Sequence, residues 1–269
     1  MRFLGHSTVR LELAGQVVLT DPLLTAAVGP LRRVGPVPEP ADHSDTDLVL
    51  ISHLHADHLH LPSLRRLPRT ARVVVPRGAG AWVRSRGVRN VEELAPGEEL
   101  THEDLRIHGV PATHSGHRWG PRSTRGPQAQ AMGHLVEGAG LRVYVAGDTD
   151  IFCGMAELGG PDVALLPVWG WGPSLGPGHL DPARAAAAVG LLRPRIAVPV
   201  HWGSLAIAGL PRMRGALGAR MRRLLVEPPR EFAAHVAACG SDTQVLVTEP
   251  GAAVALPTGF RPGSRPGVP

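Results

Sequence analysis

The chain has 269 residues and a formal net charge of +5, a length that suits one large domain or two small ones. Hydrophobic residues make up 43% and charged residues 19%, which favours an ordinary buried core over wholesale disorder. Every basic residue is Arg, and the arginines are scattered instead of clustered with aromatic residues, so we expect no nucleic-acid partner.

The sequence has no apolar stretch of membrane-spanning length and no apolar leader segment, and it therefore predicts a cytoplasmic protein without a transmembrane segment. Two cysteines do not make a disulfide framework, which fits a reducing compartment. Nothing in the sequence indicates the oligomeric state.

Short runs rich in Val, Leu or Ile predict most of the strands. A hairpin comes first, because residues 8–13 and 16–19 flank Ala14-Gly15. Further apolar runs predict buried strands at residues 47–51, 72–75, 105–110, 131–136, 141–146, 162–168, 195–200 and 243–247. Helical patterns lie at residues 62–67, 79–86, 181–192, 212–225 and 229–238.

The order of these elements predicts an α/β fold in which sheets pack face to face with helices outside. We expect one domain over residues 1–256 and a disordered Pro/Gly/Arg-rich tail over residues 257–269. Residues 29–40 and 169–178 are Gly/Pro-rich and long enough to form loops that border a site.

The segment ISHLHADHLHL, at residues 51–61, carries the strongest chemical signal. It follows an apolar strand and places four ligand-type side chains within six positions, namely His53, His55, Asp57 and His58. Alternate residues of an extended chain point the same way, so His53 and His55 would hold one ion while Asp57 and His58 face a second. A purely structural His-rich turn is the alternative, which this spacing disfavours. Imidazole and carboxylate ligands suit zinc and its neighbours.

Three more candidate ligands follow predicted strands elsewhere in the chain. His114 comes after residues 105–110, Asp148 after residues 141–146 and His201 after residues 195–200. Each of these residues alone could instead be a polar residue with ordinary hydrogen-bond partners or a capping residue. Together with the first cluster they predict a metal site where the strands end.

The pattern HxHxDH at residues 53–58, followed by these three residues, resembles the metallo-β-lactamase superfamily. Shorter motifs are similar to one branch of it, the N-acyl-phosphatidylethanolamine-hydrolysing phospholipase D and L-ascorbate-6-phosphate lactonase group. These motifs are GHST at residues 5–8, LTDP at 19–22, AGDT at 146–149 and HWGS at 201–204. The resemblance covers about residues 1–205 and implies a four-layer αββα sandwich.

The resemblance also implies two divalent metal ions, zinc first, with manganese or iron as alternatives. The implied ligands are His53, His55 and His114 for one ion, Asp57, His58 and His201 for the other, and Asp148 between both. Such a site keeps a net positive charge, which favours an anionic substrate. A hydroxide bridging the ions is the expected nucleophile.

Further residues are expected to act around the metals. We predict Asp57, Asp148 and His179 as catalytic residues, with His179 protonating the leaving group or holding the scissile phosphate. The alternative for His179 is a surface position in its loop. Support or substrate contact is expected from His6, Asp21, His117, Trp119, Trp169 and Trp171, with packing inside the loops as the alternative for the tryptophans.

The function that these features favour is hydrolysis of a phosphodiester, either a small molecule or a phospholipid-like compound. Hydrolysis of a lactone or β-lactam by the same site is the alternative. A non-catalytic metal-binding protein is less favoured because all seven ligands are present. Membrane association is not carried over from the phospholipase, because this chain lacks the N-terminal extension of that enzyme.

Overall fold

The structure is a computed structural model that describes residues 1–119, 125–256 and 260. The strands of its first sheet are β1 (Arg2–Gly5), β2 (Thr8–Leu13), β3 (Gln16–Thr20), β6 (Leu48–Leu50), β7 (Arg72–Pro76) and β8 (Val91–Leu94). A small sheet contains β4 (Ala27–Val28), β5 (Leu31–Arg33) and β15 (Leu205–Ile207). The second large sheet contains β9 (Glu99–His102), β10 (Leu105–Pro111), β11 (Met132–Gly138), β12 (Leu141–Val145), β13 (Val163–Pro167), β14 (Ile196–Val200) and β16 (Gln244–Val245).

The helices lie between and after these strands. They are α1 (Leu61–Leu64), α2 (Gly80–Ser85), α3 (Pro182–Leu192), α4 (Ala216–Leu224) and α5 (Pro228–Ala238). Helix α3 begins as predicted, because the Asp181 side chain accepts a hydrogen bond from the Arg184 backbone at 2.8 Å and Pro182 occupies its first turn. Within the described residues no helix is both long and apolar enough to cross a membrane.

Each large sheet joins an antiparallel half to a parallel half. The first sheet has the order β1-β2-β3-β6-β7-β8 and is parallel from β3 onward. The second has the order β16-β14-β13-β12-β11-β10-β9 and is parallel from β12 to β16. Strand β11 runs antiparallel to both β10 and β12, so β10 and β12 run in the same direction.

The alternation along β6 shows how the layers pack. Leu48 and Leu50 join the main core, which also holds residues of the second sheet such as Ile107. Val49 points to the opposite face and packs with residues of α1 and α2. On the far side, α5 packs against β14 and α3 packs against α5. The layer order is therefore helix, sheet, sheet, helix, which confirms the predicted αββα sandwich.

Parallel strands bring their carboxyl ends to one edge of a sheet. The ends of β3 and β6 meet in the first sheet, and the ends of β10, β12, β13 and β14 meet in the second. The residues that follow these strands include every predicted metal ligand. This edge of the sandwich is where the candidate site lies.

The structure differs from the sequence prediction in a few elements. Residues 29–40 contain the short strand β5 and end at the first residue of a 3-10 helix, Pro40–Asp42, instead of forming an uninterrupted loop. The helix predicted over residues 212–225 begins only at Ala216, after a 3-10 turn at Leu210–Arg212. The predicted tail over residues 257–269 lies outside the described residues apart from Phe260.

Candidate metal centre

The turn after β6 carries four ligand-type side chains, which are buried or half-buried. The backbone amides of His58 and Leu59 both donate to the His55 carbonyl, at 3.1 and 2.9 Å, which closes a tight turn. The His53 and His55 rings lie 4.6 Å apart between centroids, and those of His53 and His58 lie 4.0 Å apart. His53 and His58 are completely buried, and Asp57 is 8% exposed.

The distant strand ends bring the other three predicted ligands to this turn. His114 Nε2 lies 3.1 Å from His55 Nδ1, and His201 Nε2 lies 3.2 Å from His58 Nε2. Asp148 lies between the two groups and uses both oxygens. Its Oδ1 is 3.2 Å from His201 Nε2, and its Oδ2 is 3.3 Å from His58 Nε2. The same Oδ2 is 3.9 Å from His114 Nε2 and 4.0 Å from His53 Nε2.

Hydrogen bonds on the outer side of the rings fix the tautomers of these histidines. The Nδ1 of His58 donates to Asp21 Oδ2 at 2.8 Å. The Nδ1 of His114 donates to the Gly178 carbonyl at 2.7 Å, and that of His201 to the Trp169 carbonyl at 2.8 Å. A neutral imidazole with its proton on Nδ1 carries a lone pair on Nε2. The Nε2 lone pairs of neutral His114 and His201 therefore point toward Asp148, and His58 Nε2 faces the same carboxylate.

The tautomer of His53 is also fixed by an outer hydrogen bond, in this case through Ser52. Ser52 Oγ lies 2.6 Å from Asp21 Oδ2, to which it must donate, and 3.0 Å from His53 Nδ1, from which it then accepts. His53 Nε2 is thereby left as an acceptor facing the cluster. Gly147, with φ +62, lets the end of β12 approach Ser52, because a Cβ at this position would collide with the serine side chain.

Burial keeps most of these histidines neutral. Desolvation lowers the pKa of His55 to about 4 and that of His201 to about 3. It also lowers the pKa of His53 and of His114. Only the neutral imidazole can bind a metal ion, so the site is prepared for one at neutral pH.

Two groups of the cluster are charged. Burial disfavours ionised Asp148, but the surrounding imidazoles of His201 and His58 outweigh it and hold the pKa of the carboxyl well below its usual range. Burial likewise opposes a charge on His58, but Asp148 and Asp21 outweigh it and raise the pKa of His58 well above its usual range. A metal ion at this point would replace the proton of His58 Nε2, so binding would release a proton.

His6 in GHST and Asp21 in LTDP both contact residues of the cluster. His6 Nε2 donates to Asp57 Oδ2 at 3.0 Å, while its backbone carbonyl accepts from the His201 amide at 2.8 Å. Asp21 is 1% exposed and contacts His58 and Ser52. His6, Asp21 and His201 all have positive φ, at 57°, 34° and 62°. Left-handed backbone in residues other than glycine is strained and is often found at functional sites.

The remaining predicted residues lie at varying distances from the donors. His179 Nε2 is 3.5 Å from Asp148 Oδ2, and this contact outweighs burial and raises the pKa of His179. Trp169 supplies the carbonyl that accepts from His201, and its own Nε1 donates to the Gly172 carbonyl at 3.1 Å. Trp171 is 38% exposed in the same loop.

His117 and Trp119 occupy the segment after His114. His117 pairs with Gln128 in an isolated antiparallel bridge and belongs to no donor group of the described residues. Trp119 is 60% exposed, and the guanidinium carbon of Arg118 lies over its ring, 5.2 Å from the ring centroid. Neither residue belongs to the groups of candidate metal ligands found among the described residues.

Sequence reasoning missed three residues that shape the site, namely Ser52, Ser204 and Arg118. Ser52 and Ser204 stand next to predicted residues, and Ser204 Oγ accepts from the His6 amide at 2.6 Å. Their adjacency within ISH and HWGS was the available signal. Arg118 carries no local sequence signal at all.

The chemistry of the donors fits divalent cations. Two atoms each about 2.0–2.1 Å from one tetrahedral zinc ion are about 3.3 Å apart. The His58–His201 separation of 3.2 Å and the His58–Asp148 separation of 3.3 Å match this spacing. In addition, His53 Nε2, His55 Nε2 and Asp148 Oδ1 are buried atoms with no hydrogen-bond partner among the described residues. His55 meets His114 through its Nδ1, so the unpaired acceptors that face the cluster are His53 Nε2 and Asp148 Oδ1, which are costly to bury unless a cation satisfies them.

Comparison with known proteins agrees with the fold. Residues 16–202 match the family described as Beta-lactamase superfamily domain. A UPF0173 metal-dependent hydrolase of Methanopyrus kandleri is 33% identical over 255 residues, which cover 93% of this chain and 96% of the relative. The N-acyl-phosphatidylethanolamine-hydrolyzing phospholipase D 1 of Caenorhabditis elegans is 30% identical over 228 residues, 75% of this chain and 63% of that one.

Among solved structures, the metallo hydrolase Igni18 of Ignicoccus hospitalis superposes with a TM-score of 0.68 at 27% identity. The match covers 93% of this chain and 94% of that one. The class of this protein follows from its fold, its cluster of candidate metal ligands and its relatives. The chain belongs to the metallo-β-lactamase superfamily of metal-dependent hydrolases.

Proposed function

We propose that this protein is a phosphodiesterase with two metal ions, in which one domain over residues 1–256 carries the whole site. The observation that carries the proposal is the convergence of imidazole nitrogens on Asp148. The Nδ1 protons of His114 and His201 are committed to backbone carbonyls, so the Nε2 atoms of these rings face Asp148 as acceptors, and His58 Nε2 would join them once a metal ion displaces its proton. A set of inward-facing lone pairs around a carboxylate is a site for cations.

The donors divide into two groups that share a carboxylate. His53, His55 and His114 form one group, and Asp57, His58 and His201 form another together with His6, while Asp148 forms further groups with His53 and His58 and with His114 and His179. Asp148 lies within reach of both groups: its Oδ1 is 3.2 Å from His201 Nε2, and its Oδ2 is 3.9 Å from His114 Nε2 and 4.0 Å from His53 Nε2. We therefore assign one ion to each group and Asp148 to both. Zinc is the ion that this His-rich ligation suits best, with manganese or iron as alternatives.

When bound, a pair of such ions would lower the pKa of water and stabilise the attacking and leaving oxygens of a phosphoryl transfer. The chain's own residues set the geometry. Asp21 and Ser52 hold the His58 and His53 rings from behind, and His6 holds the Asp57 carboxylate. Outer partners of this kind fix both the tautomer and the direction of a metal-binding ring.

His179 is the residue that we assign to the leaving group. It lies at the end of the loop 169–178, beside Asp148, and its pKa is raised. A histidine that keeps its proton near neutral pH can give that proton to a departing alkoxide. Its Nδ1 donates to the Gly176 carbonyl at 3.1 Å, which leaves Nε2 as the atom that faces the site.

The phosphodiester class rests on the positive charge expected for two ions and on the phospholipase of Caenorhabditis elegans among the relatives. The test is a substrate panel with zinc-loaded protein: bis(p-nitrophenyl) phosphate, a phosphomonoester, a lactone and a β-lactam. We expect turnover of the diester that is lost on chelation and restored by zinc. Turnover of the lactone or β-lactam with no activity on the diester would overturn the phosphodiesterase assignment.

A further inference from the structure

Arg118 is a buried cation next to the candidate metal centre that the site chemistry does not use. It follows His114 by four residues and is 6% exposed. Its Nη1 donates to the Leu54 carbonyl at 2.6 Å and to the Leu59 carbonyl at 2.8 Å. These two carbonyls flank residues 55–58, the turn that carries His55, Asp57 and His58.

The segment around Arg118 is itself well held. The Arg118 amide donates to the Pro127 carbonyl at 3.1 Å, and the Ala129 amide donates to the Gly116 carbonyl at 3.0 Å. The guanidinium carbon lies 5.3 Å from the centroid of the Trp82 ring and 5.2 Å from that of Trp119. Cation–π contacts with indole rings offset part of the hydration that the guanidinium loses.

Burying this charge costs free energy, which indicates that Arg118 has a specific role in the structure. Desolvation lowers the pKa of Arg118 to about 10, and its Nε has no hydrogen-bond partner among the described residues. The side-chain hydrogen bonds that the structure shows for Arg118 all go to the two carbonyls of the metal turn. Because one nitrogen donates to both, a single atom of Arg118 links the two ends of the turn, in addition to the backbone hydrogen bonds within it.

We propose that Arg118 is a positioning residue that ties the segment of His114 to the turn 55–58 and so fixes the relative placement of the ligands of both ions. This inference rests on the proposed function, since it takes these side chains to be metal ligands. Without the guanidinium, the Leu54 and Leu59 carbonyls lose their shared donor. The turn can then relax, and His55 and His114 no longer converge.

The test compares metal binding by Arg118→Met, which keeps the length and apolar stem, with Arg118→Lys, whose ammonium can donate to both carbonyls. We expect zinc affinity, measured by competition with a chelator, to fall about 10- to 100-fold in Arg118→Met, as for other residues that orient ligands. Arg118→Lys should lie between Arg118→Met and the wild type. The visible spectrum of the cobalt-loaded protein should change in Arg118→Met and return toward the wild type in Arg118→Lys.

The matched control is Arg142→Met. Arg142 donates to the Leu158 and Gly159 carbonyls, both at 3.0 Å, near the start of β12 and away from the donors. The Arg142→Met variant should have a lower free energy of unfolding than the wild type but the same zinc affinity. Wild-type affinity and spectrum in Arg118→Met, or an equal loss in Arg142→Met, would overturn the positioning role.

Should Arg118→Met fail to fold, judged by circular dichroism, Arg118→Gln takes its place. Glutamine is polar but too short to bridge both carbonyls, so the same loss of affinity is expected, and unchanged affinity overturns the role. A wild-type protein that binds no zinc would instead refute the proposed function, and with it this inference.

Discussion

The substitution Asp21→Asn tests whether outer hydrogen bonds prepare the histidines for metal. Asp21 Oδ2 accepts from His58 Nδ1 at 2.8 Å and from Ser52 Oγ at 2.6 Å, and its Oδ1 accepts from the Ser52 amide at 2.7 Å. Asparagine has the same shape and tolerates the φ of +34° at this position, so the backbone has no reason to change. With its oxygen kept on the Ser52 amide, the new NH2 group faces His58 Nδ1.

An NH2 group can only donate, so His58 Nδ1 becomes the acceptor and the single proton of the neutral ring lies on Nε2. The neutral ring then has no Nε2 lone pair to offer a metal ion. A hydrogen bond to a charged group contributes about 1.5–3 kcal/mol. At about 1.4 kcal/mol per tenfold change, its loss weakens metal binding by about 10- to 100-fold, in line with other residues that orient ligands.

The assay is zinc competition with a chelator, with circular dichroism to confirm that the variant is folded. Asp162→Asn is the control, because Asp162 is also a buried carboxylate that accepts from a backbone amide, that of Arg142 at 2.9 Å, but outside the metal centre. We expect the control to bind zinc as tightly as the wild type. Unchanged zinc affinity in Asp21→Asn would refute the assignment of the His58 tautomer.

Three further predictions concern single residues. Asp148→Ala should stay folded by circular dichroism but lose at least about 10²-fold in diester turnover, because a shared ligand matters more than an outer partner; activity near the wild type would contradict this. His179→Ala should keep its zinc, measured by elemental analysis. Its turnover of an alkyl phosphodiester should fall about 10²-fold or more, while turnover of a p-nitrophenyl phosphodiester should fall little. Equal losses for both substrates would contradict the proton-donor role. Burial lowers the pKa of His134 to about 4. Between pH 6.5 and 4 only the unfolded state binds that proton, so this residue should reduce the free energy of unfolding by about 1.4 kcal/mol per pH unit as the pH falls. In urea titrations, His134→Leu should lessen the acid sensitivity by that slope, and an unchanged slope would contradict it.

The sequence was sufficient to predict which His and Asp side chains lie close together because the signals are local. The HxHxDH pattern is contained in one turn, and His114, Asp148 and His201 each follow an apolar strand. The direction of parallel strands then requires these ends to meet. The αββα arrangement follows from the same strands and helices.

Other features depend on contacts between distant segments, which local patterns do not encode. Strand β5 pairs with β15, more than 170 residues later, and neither has a run of apolar residues long enough to stand out. Strand β8 has the sequence VEEL and is half-buried along most of its length, so its alternation is weak. Arg118 shows the same limit at the site, because its role is defined only by carbonyls of a turn about sixty residues away.

The most direct measurement of the metal centre is anomalous diffraction at the zinc edge from crystals of the zinc-loaded protein. Two peaks are expected in each chain, one among His53, His55 and His114 and one beside Asp57, His58 and His201, with Asp148 in contact with both. A single peak, or peaks away from these side chains, would contradict the two-metal centre on which the proposed phosphodiesterase depends.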